Sequence, residues 1–357
     1  MCRPDTETAA TATAAASAAA ASAEYGAQSD SDQYPDGIEA AGTDEDEEGE
    51  FSLDEVDLAD DISITSSVYA HTWKNGRRYH KFRHGRYPLP NDEREQTRED
   101  MLHAMMMEAT DGRLFFAPIV EHPQKILDLG TGTGIWAIEV ANEYPGAEVT
   151  GLDLSPIQPV WLPPNLSFLV DDIEDTWLAG DNIDFVHLRN MVPILKSPVG
   201  LLRNIYDNLK PGGWVELQDV DGEVHCDDGT VPPNWPLSKF CDLLVEAFGA
   251  FGTDAHAASA GRRYLEEAGF VNIRHHALKL PYGPWPKDKT LRVIGAYYRI
   301  CCEEMFPVVG AVHFPMLGWS REETEVLFAL CRAAMRDPKV HAYGKMHCWS
   351  GQRPPEA

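Results

Sequence analysis

Cysteine is sparse and scattered in this chain of 357 residues: Cys2, Cys226, Cys241, Cys301, Cys302, Cys331 and Cys348 form no CxxC pair. None stands at a zinc-ligand spacing with histidine, so no metal is expected. An odd set of dispersed thiols suits a reducing compartment. Long apolar runs are missing too, and none approaches the roughly 20 residues that a membrane-spanning helix requires. No membrane association is expected. The opening MCRPDTETAATATAAASAAAAS is rich in alanine like a leader, but it lacks a leucine-rich core and carries Asp5 and Glu7. The expected location is the cytoplasm, with the nucleus as the alternative. Bases are scarce as well, 30 against 57 acids, for a net charge of -27. Residues 1–62 hold 18 of those acids against the single base Arg3, a local charge of -17 that leaves -10 for the rest. Such a balance does not suit a nucleic-acid partner, which calls for clustered Lys and Arg.

What is present divides the chain in three. Residues 1–62, with Ala/Thr/Ser repeats and the acidic run Asp44 to Glu50, cannot bury enough apolar surface to offset chain entropy and read as a disordered tail. The run is also a candidate dock for a basic protein partner. Residues 63–120 form an N-terminal helical or lid segment. Its bases Lys74, Arg77, Arg78, Lys81 and Arg83 are interleaved with Tyr79, Phe82 and Tyr87, which favours a folded strap packed beside a site over a nucleic-acid patch. Asn91 is the expected N-cap of a helix reaching about Ala109, with Asp92 and Glu93 in its first turn.

From 121 to 357 short apolar strands alternate with helix patterns: Lys125–Leu129, a helix from Gly134, Glu148–Asp153, Ser167–Val170, Phe185–Leu188, a helix from Ser197, and Trp214–Gln218. Strand and helix in alternation predict a doubly wound α/β domain, a mainly parallel sheet covered on both faces. Pro211-Gly212-Gly213 reads as the turn into a strand. Helices are expected near 236–250 and 255–268, a capping box at Ser320 and Glu323, a helical insertion around 285–335, and a closing strand over Val340–Ser350.

The segment ILDLGTGTGIW places Gly130, Gly132 and Gly134 where a buried strand turns into a helix. A dinucleotide loop would have a small residue where Ile135 stands. The loop here is led instead by Asp128, an acid that would repel a pyrophosphate but attract the ammonium and sulfonium of S-adenosylmethionine. Asp153 ends the next strand, at the position from which a carboxylate takes both ribose hydroxyls. Asp171 and Asp172 follow the third strand, and Asp172 is preferred as the acceptor of the adenine amino group.

With those residues the chain resembles the LaeA-like family of fungal class I methyltransferases. The resemblance covers residues 69–355 and rests on NGRRYHKFRHGRYPLPNDEREQTRED, LDLGTGTGIWAIEVANEYPGAEVTGLDLSPIQP, LKPGGWVELQD, LPYGPWPKD and VHAYGKMHCWSGQRP. It implies a Rossmann-like sheet of seven strands with the last antiparallel. It also implies S-adenosylmethionine contacts at Asp128, Gly130, Gly132, Asp153 and Asp172, and Thr131, Gly134, Leu154 and Ile173 beside them complete the expected cofactor site. Thr131 stands where relatives often have cysteine.

The expected activity is methyl transfer to oxygen or nitrogen of a small molecule in fungal secondary metabolism. Such a displacement gains mostly from alignment and exclusion of water. His187 and Arg189, at the end of the fourth strand, are the candidates to assist it; Tyr79, His80, His103 and Asp219 are candidates to close the site or touch the acceptor. Asp221 also stands at the rim. Asp227 and Asp228, beside Gly229, read as a turn rather than a metal site. Two other readings stay open: a nuclear regulator acting through protein partners, and a cofactor-binding scaffold without activity.

Overall fold

The computed structural model describes residues 71–356, apart from residue 75 and residues 83–88. The tail read at 1–62 lies outside the described residues, as do Arg83 and Tyr87. The described chain opens with a hairpin, β1 (His71–Lys74) and β2 (Arg77–His80), in a segment whose composition announced only a helical strap. Its bases serve the helix that follows, α1 (Glu93–Ala109). Arg77 grips Asp92 with two nitrogens at 2.6 and 2.9 Å, while Arg78 donates to the side chain and the carbonyl of Asn91. The N-cap is Asp92, one residue after the expected Asn91, and its carboxylate accepts from the Glu95 N–H. Arg77 fixes that carboxylate in capping position, whereas Asn91 donates its amide to Ser155 Oγ and so ties the helix start to the loop after a sheet strand.

The sheet strands are β3 (Lys125–Leu129), β4 (Glu148–Asp153), β5 (Leu166–Val170), β6 (Ile183–Arg189), β7 (Leu209–Val220), β8 (Val271–Pro281) and β9 (Tyr343–Gln352). They lie in the order β5-β4-β3-β6-β7-β9-β8. The first five are mutually parallel, and β9 runs antiparallel to both β7 and β8. Alternate residues of β3 serve opposite cores. Leu127 and Leu129 pack with α3 (Pro198–Asn208) and α5 (Gly261–Ala268), whereas Ile126 packs with α2 (Ile135–Glu143). Burial on both faces is why these strands read as apolar runs. A third core lies among α4 (Pro236–Phe251), α6 (Lys289–Val312) and α7 (Arg321–Ala334). The helices α6 and α7 fill the chain between β8 and β9, and the capping box at Ser320 and Glu323 is formed.

The Pro211-Gly212-Gly213 turn is drawn into β7, which starts at Leu209 after an irregular register between Ile183 and Phe185. The segment that ties α1 to the sheet is clamped by Glu216, whose buried carboxylate accepts the backbone N–H groups of Phe116 and Ala117.

Candidate functional site

The glycine loop lies between the carboxyl end of β3 and the start of α2, where strand ends of an open α/β sheet leave a crevice. Gly130, Gly132 and Gly134 all have positive φ, at +76°, +56° and +81°. A side chain would also collide at each: with the Met191 sulfur at 2.3 Å from Gly130, with Glu99 Oε2 at 2.7 Å from Gly132, and with the Phe168 ring at 2.4 Å from Gly134. The GxGxG pattern is therefore dictated by both backbone and crowding. The loop is held from beneath by Gly130 and Thr131, whose N–H groups donate to the Leu152 carbonyl.

Asp153 stands at the end of β4 as expected. Its two oxygens accept from the N–H groups of Gly132 and Ser155, each at 2.9 Å, which aims the carboxylate at the loop. Burial raises its carboxyl to about 6, against those two hydrogen bonds, which favour the ionised form. Asp172 is buried at the rim beyond β5 and accepts from the Glu174 N–H. Together with Gly130, Thr131, Gly132, Leu154 and Ile173, these two acids line one cavity of about 330 Å³, within the size range of small-ligand sites.

Asp128 plays a different part from the expected cofactor contact. It is buried behind the wall, where one oxygen faces His187 Nδ1 at 2.8 Å and the other accepts from the Thr131 hydroxyl at 2.6 Å. The acid thus braces the loop rather than lining the cavity. Gly134 likewise sits behind the lining, as the left-handed N-cap of α2.

The assisting and closing residues are largely reassigned. His187 is fully buried, stacked on Trp136 at 3.7 Å and 6°, and absent from the cavity wall. It is a strand histidine that positions Asp128. Arg189 does line the cavity. Asp219 is buried, raised to about 7 by that burial, and accepts from the Val192 N–H, so it shapes the loop after β6 instead of reaching a ligand. Tyr79 and His80 are buried in the hairpin, His80 against the Phe82 carbonyl, and neither lines the cavity. His103 is also out of the wall, its Nε2 3.0 Å from Glu139. The strap reaches the cavity through Leu89, Pro90, Asn91, Arg98, Glu99 and Leu102 instead. The sequence signal for them was the phase of α1, since Glu99 and Leu102 are one turn apart on one helix face.

The other half of the cavity is walled by Leu237, Phe240, Leu244 and Phe248 of α4 and by Phe306 and Val309 of α6. Its polar groups are neutral, apart from the carboxylate of Asp221, which burial would raise but hydrogen bonds from His347 and His225 hold below its ordinary value. Burial pushes the phenols of Tyr282 and Tyr298 well above their ordinary value and lowers His313 to about 4. His313 is buried, with no hydrogen-bond partner at Nδ1 among the described residues. Nothing in the spacing of the sequence pointed to it.

Among the described residues one group resembles a metal set: Asp221, Glu223 and His225, with donor atoms within 4.8 Å of one another. Asp221 Oδ2 is already shared by His225 Nε2 and His347 Nε2, at 3.1 and 3.2 Å. Asp227 and Asp228 instead anchor the turn to Lys279, Tyr343 and His341.

A cradle opened by three glycines, a carboxylate set at the end of the second parallel strand and an unpartnered carboxylate above the loop fit a nucleoside ligand with a charged amino-acid end. Comparison with known proteins agrees. A methyltransferase-domain family model matches residues 101–275. The methyltransferase pytC of Aspergillus terreus is 40% identical over 298 residues, which cover 82% of this chain and 92% of that protein. The secondary metabolism regulator LAE1 of Cochliobolus heterostrophus is 38% identical, over 79% of this chain and 94% of its own. The protein-methionine methyltransferase laeA of Emericella nidulans is 36% identical, over 79% and 76%. Sheet order, glycine loop and these relatives lead to one conclusion: the chain belongs to the LaeA-like family of fungal class I methyltransferases that use S-adenosylmethionine.

Proposed function

We propose that this protein transfers a methyl group from S-adenosylmethionine to an oxygen or nitrogen of a largely apolar small molecule in fungal secondary metabolism. The observation that carries the reading is the two-ended cavity, with the glycine loop, Asp153 and Asp172 at one end and largely apolar walls at the other. Bound there, the donor supplies an activated methyl group on its sulfonium. The chain's own residues do the rest. Asp153 holds the ribose hydroxyls and Asp172 the adenine edge, while the α4 and α6 side chains exclude water and press the acceptor against the methyl group. His313, neutral at physiological pH, accepts a hydrogen bond from the acceptor's hydroxyl and orients its lone pair.

Calorimetric titration with S-adenosylmethionine, and separately with a nicotinamide dinucleotide, tests the first half of this. Only the methyl donor should bind, and a Gly132→Asp variant should abolish that binding. Turnover of a panel of phenols and amides, followed as S-adenosylhomocysteine release, tests the second half. Failure of every acceptor with donor binding intact would favour a second reading, which the regulator names of the relatives support: action on or through a protein partner, with the acidic segment before residue 63 as its dock. Exclusion of a tagged protein from nuclei would count against a nuclear regulator. Among the described residues no helix is long and apolar enough to cross a membrane.

A further inference from the structure

An acidic and a basic side chain line the cavity at the glycine loop with no hydrogen bond or ion pair between them. Glu99 projects from α1 over Gly132, where its Oε2 is buried and has no hydrogen-bond partner among the described residues. Arg189 is the last residue of β6. Because Leu188 pairs with Leu129 in the parallel register, Arg189 comes to stand alongside Gly130. Its guanidinium makes no hydrogen bond or ion pair among the described residues.

Their neighbours are committed elsewhere. Arg98 donates twice to Glu95, Asp153 accepts from the Gly132 and Ser155 N–H groups, and Asp100 accepts from Thr133. Buried polar groups are paired in native proteins, so an open carboxyl and an open guanidinium in one wall call for a partner that the described residues do not provide. The complement of an open carboxylate and an open guanidinium on either side of a glycine loop is a small zwitterion.

We infer that Glu99 and Arg189 hold the amino-acid end of the methyl donor, Glu99 taking its ammonium and Arg189 its carboxylate. This rests on the reading that the donor occupies this cavity.

The charge state of the ligand-free protein adds a consequence. Burial raises the Glu99 carboxyl to about 8, opposed by Arg98 and reinforced by Glu95, Asp153 and Asp100. Those groups and Arg189, whose own pKa burial lowers, are the charges that face it from α1, β4 and β6. A carboxyl raised in this way carries its proton near neutral pH, and pairing with an ammonium requires that proton to leave. Donor binding should therefore release a proton.

The test is calorimetry at pH 7.4 in phosphate and in Tris, whose different ionisation enthalpies reveal proton release. The probes are S-adenosylmethionine, S-adenosylhomocysteine, decarboxylated S-adenosylmethionine and 5′-methylthioadenosine, which lacks both charges. Wild-type protein should release the proton with the first three and not with the last. Glu99→Gln should abolish the release and weaken S-adenosylhomocysteine roughly ten- to hundredfold, the usual loss for a charge-assisted hydrogen bond, with methylthioadenosine unchanged. Arg189→Gln should weaken S-adenosylhomocysteine similarly and leave the decarboxylated ligand as it was. An unchanged ratio of S-adenosylhomocysteine to methylthioadenosine affinity in both variants would overturn the inference. Weakening of S-adenosylmethionine alone by Glu99→Gln would also overturn it, by placing Glu99 at the sulfonium. If wild-type protein bound none of the four, the reading of the cavity would fail before the inference was reached.

Discussion

Gly134 and Phe168 should be energetically coupled, and the size of that coupling can be worked out from the structure. The Phe168 ring lies over Gly134, so a methyl group placed there would stand 2.4 Å from Cζ and 2.9 Å from Cε1. Carbon atoms in contact sit at roughly 3.5–4.0 Å. Relieving that overlap falls in the range of over-packed cores, about 1–3 kcal/mol. The backbone adds its own penalty, because φ is +81° and an L-residue in the left-handed region loses about 1–2 kcal/mol. Gly134→Ala should therefore destabilise the protein by about 2–5 kcal/mol, the sum of these two effects. When the ring is removed first, in Phe168→Ala, only the backbone share should remain. The cycle should then show a coupling of about 1–3 kcal/mol. Gly151 is a built-in control. A methyl group there would meet the same ring at 2.6 Å, but its φ is outside the left-handed region, so Gly151→Ala should couple to Phe168 without the backbone share. Urea denaturation read by tryptophan fluorescence, with the slope checked for constancy, gives all six stabilities. A coupling below about 0.5 kcal/mol at both glycines, the ordinary margin of additivity, would refute the claim that one ring dictates two glycines.

Asp153→Ala should lower affinity for S-adenosylmethionine by about 1–3 kcal/mol, the loss of a charge-assisted pair to the ribose; retained affinity by calorimetry would remove Asp153 from the site. Asp219 is raised to about 7 by burial, so its folded state favours the proton. Its stabilising contribution is present below the ordinary carboxyl value and lost as pH climbs from about 4 to 7. The Tm difference between wild type and Asp219→Asn, which keeps an oxygen for the Val192 N–H, should therefore shift against wild type over that range, and a difference independent of pH would contradict it. Arg77→Ala strips the Asp92 cap of its bidentate partner and should lower stability by about 1–3 kcal/mol. It should also expose the segment before α1 to limited proteolysis. Unchanged cleavage would show that the hairpin is held by something else.

The parallel strands and the glycine loop were legible because both are written locally. Two-sided burial turns β3 and β6 into apolar runs, and a left-handed turn under a crowded ring admits only glycine. The strand β8 was not legible. It lies at the sheet edge, most of VNIRHHA is exposed, and nothing in its pattern separates it from a polar loop. The hairpin escaped for a related reason, since four-residue strands of bases and aromatics become strands only by gripping Asn91 and Asp92. In the site, the places of Asp153 and Asp172 in the cavity wall were legible because strand ends fix them. Glu99 and His313 meet the loop and the apolar wall only through packing between elements far apart in sequence. His187 and Asp128 had the right residue types in the right place, yet the fold uses them as a brace, with one stacked beneath Trp136 and the other fastened to Thr131. Residue type and spacing cannot tell a brace from a ligand contact when both lie at the same strand end.

The helices α6 and α7 leave the sheet after Pro281 and return at Tyr343, and those two residues are paired neighbours on adjacent strands. An excursion whose two ends meet in this way can be lengthened, trimmed or exchanged for another without displacing the strands that carry the glycine loop. Half of the apolar chamber thus hangs on a detachable piece, and lineages could diversify the molecules they modify by editing that piece alone. Grafting the 282–342 stretch of a relative onto this sheet would be a direct way to move one enzyme's taste for acceptors onto another's methyl supply.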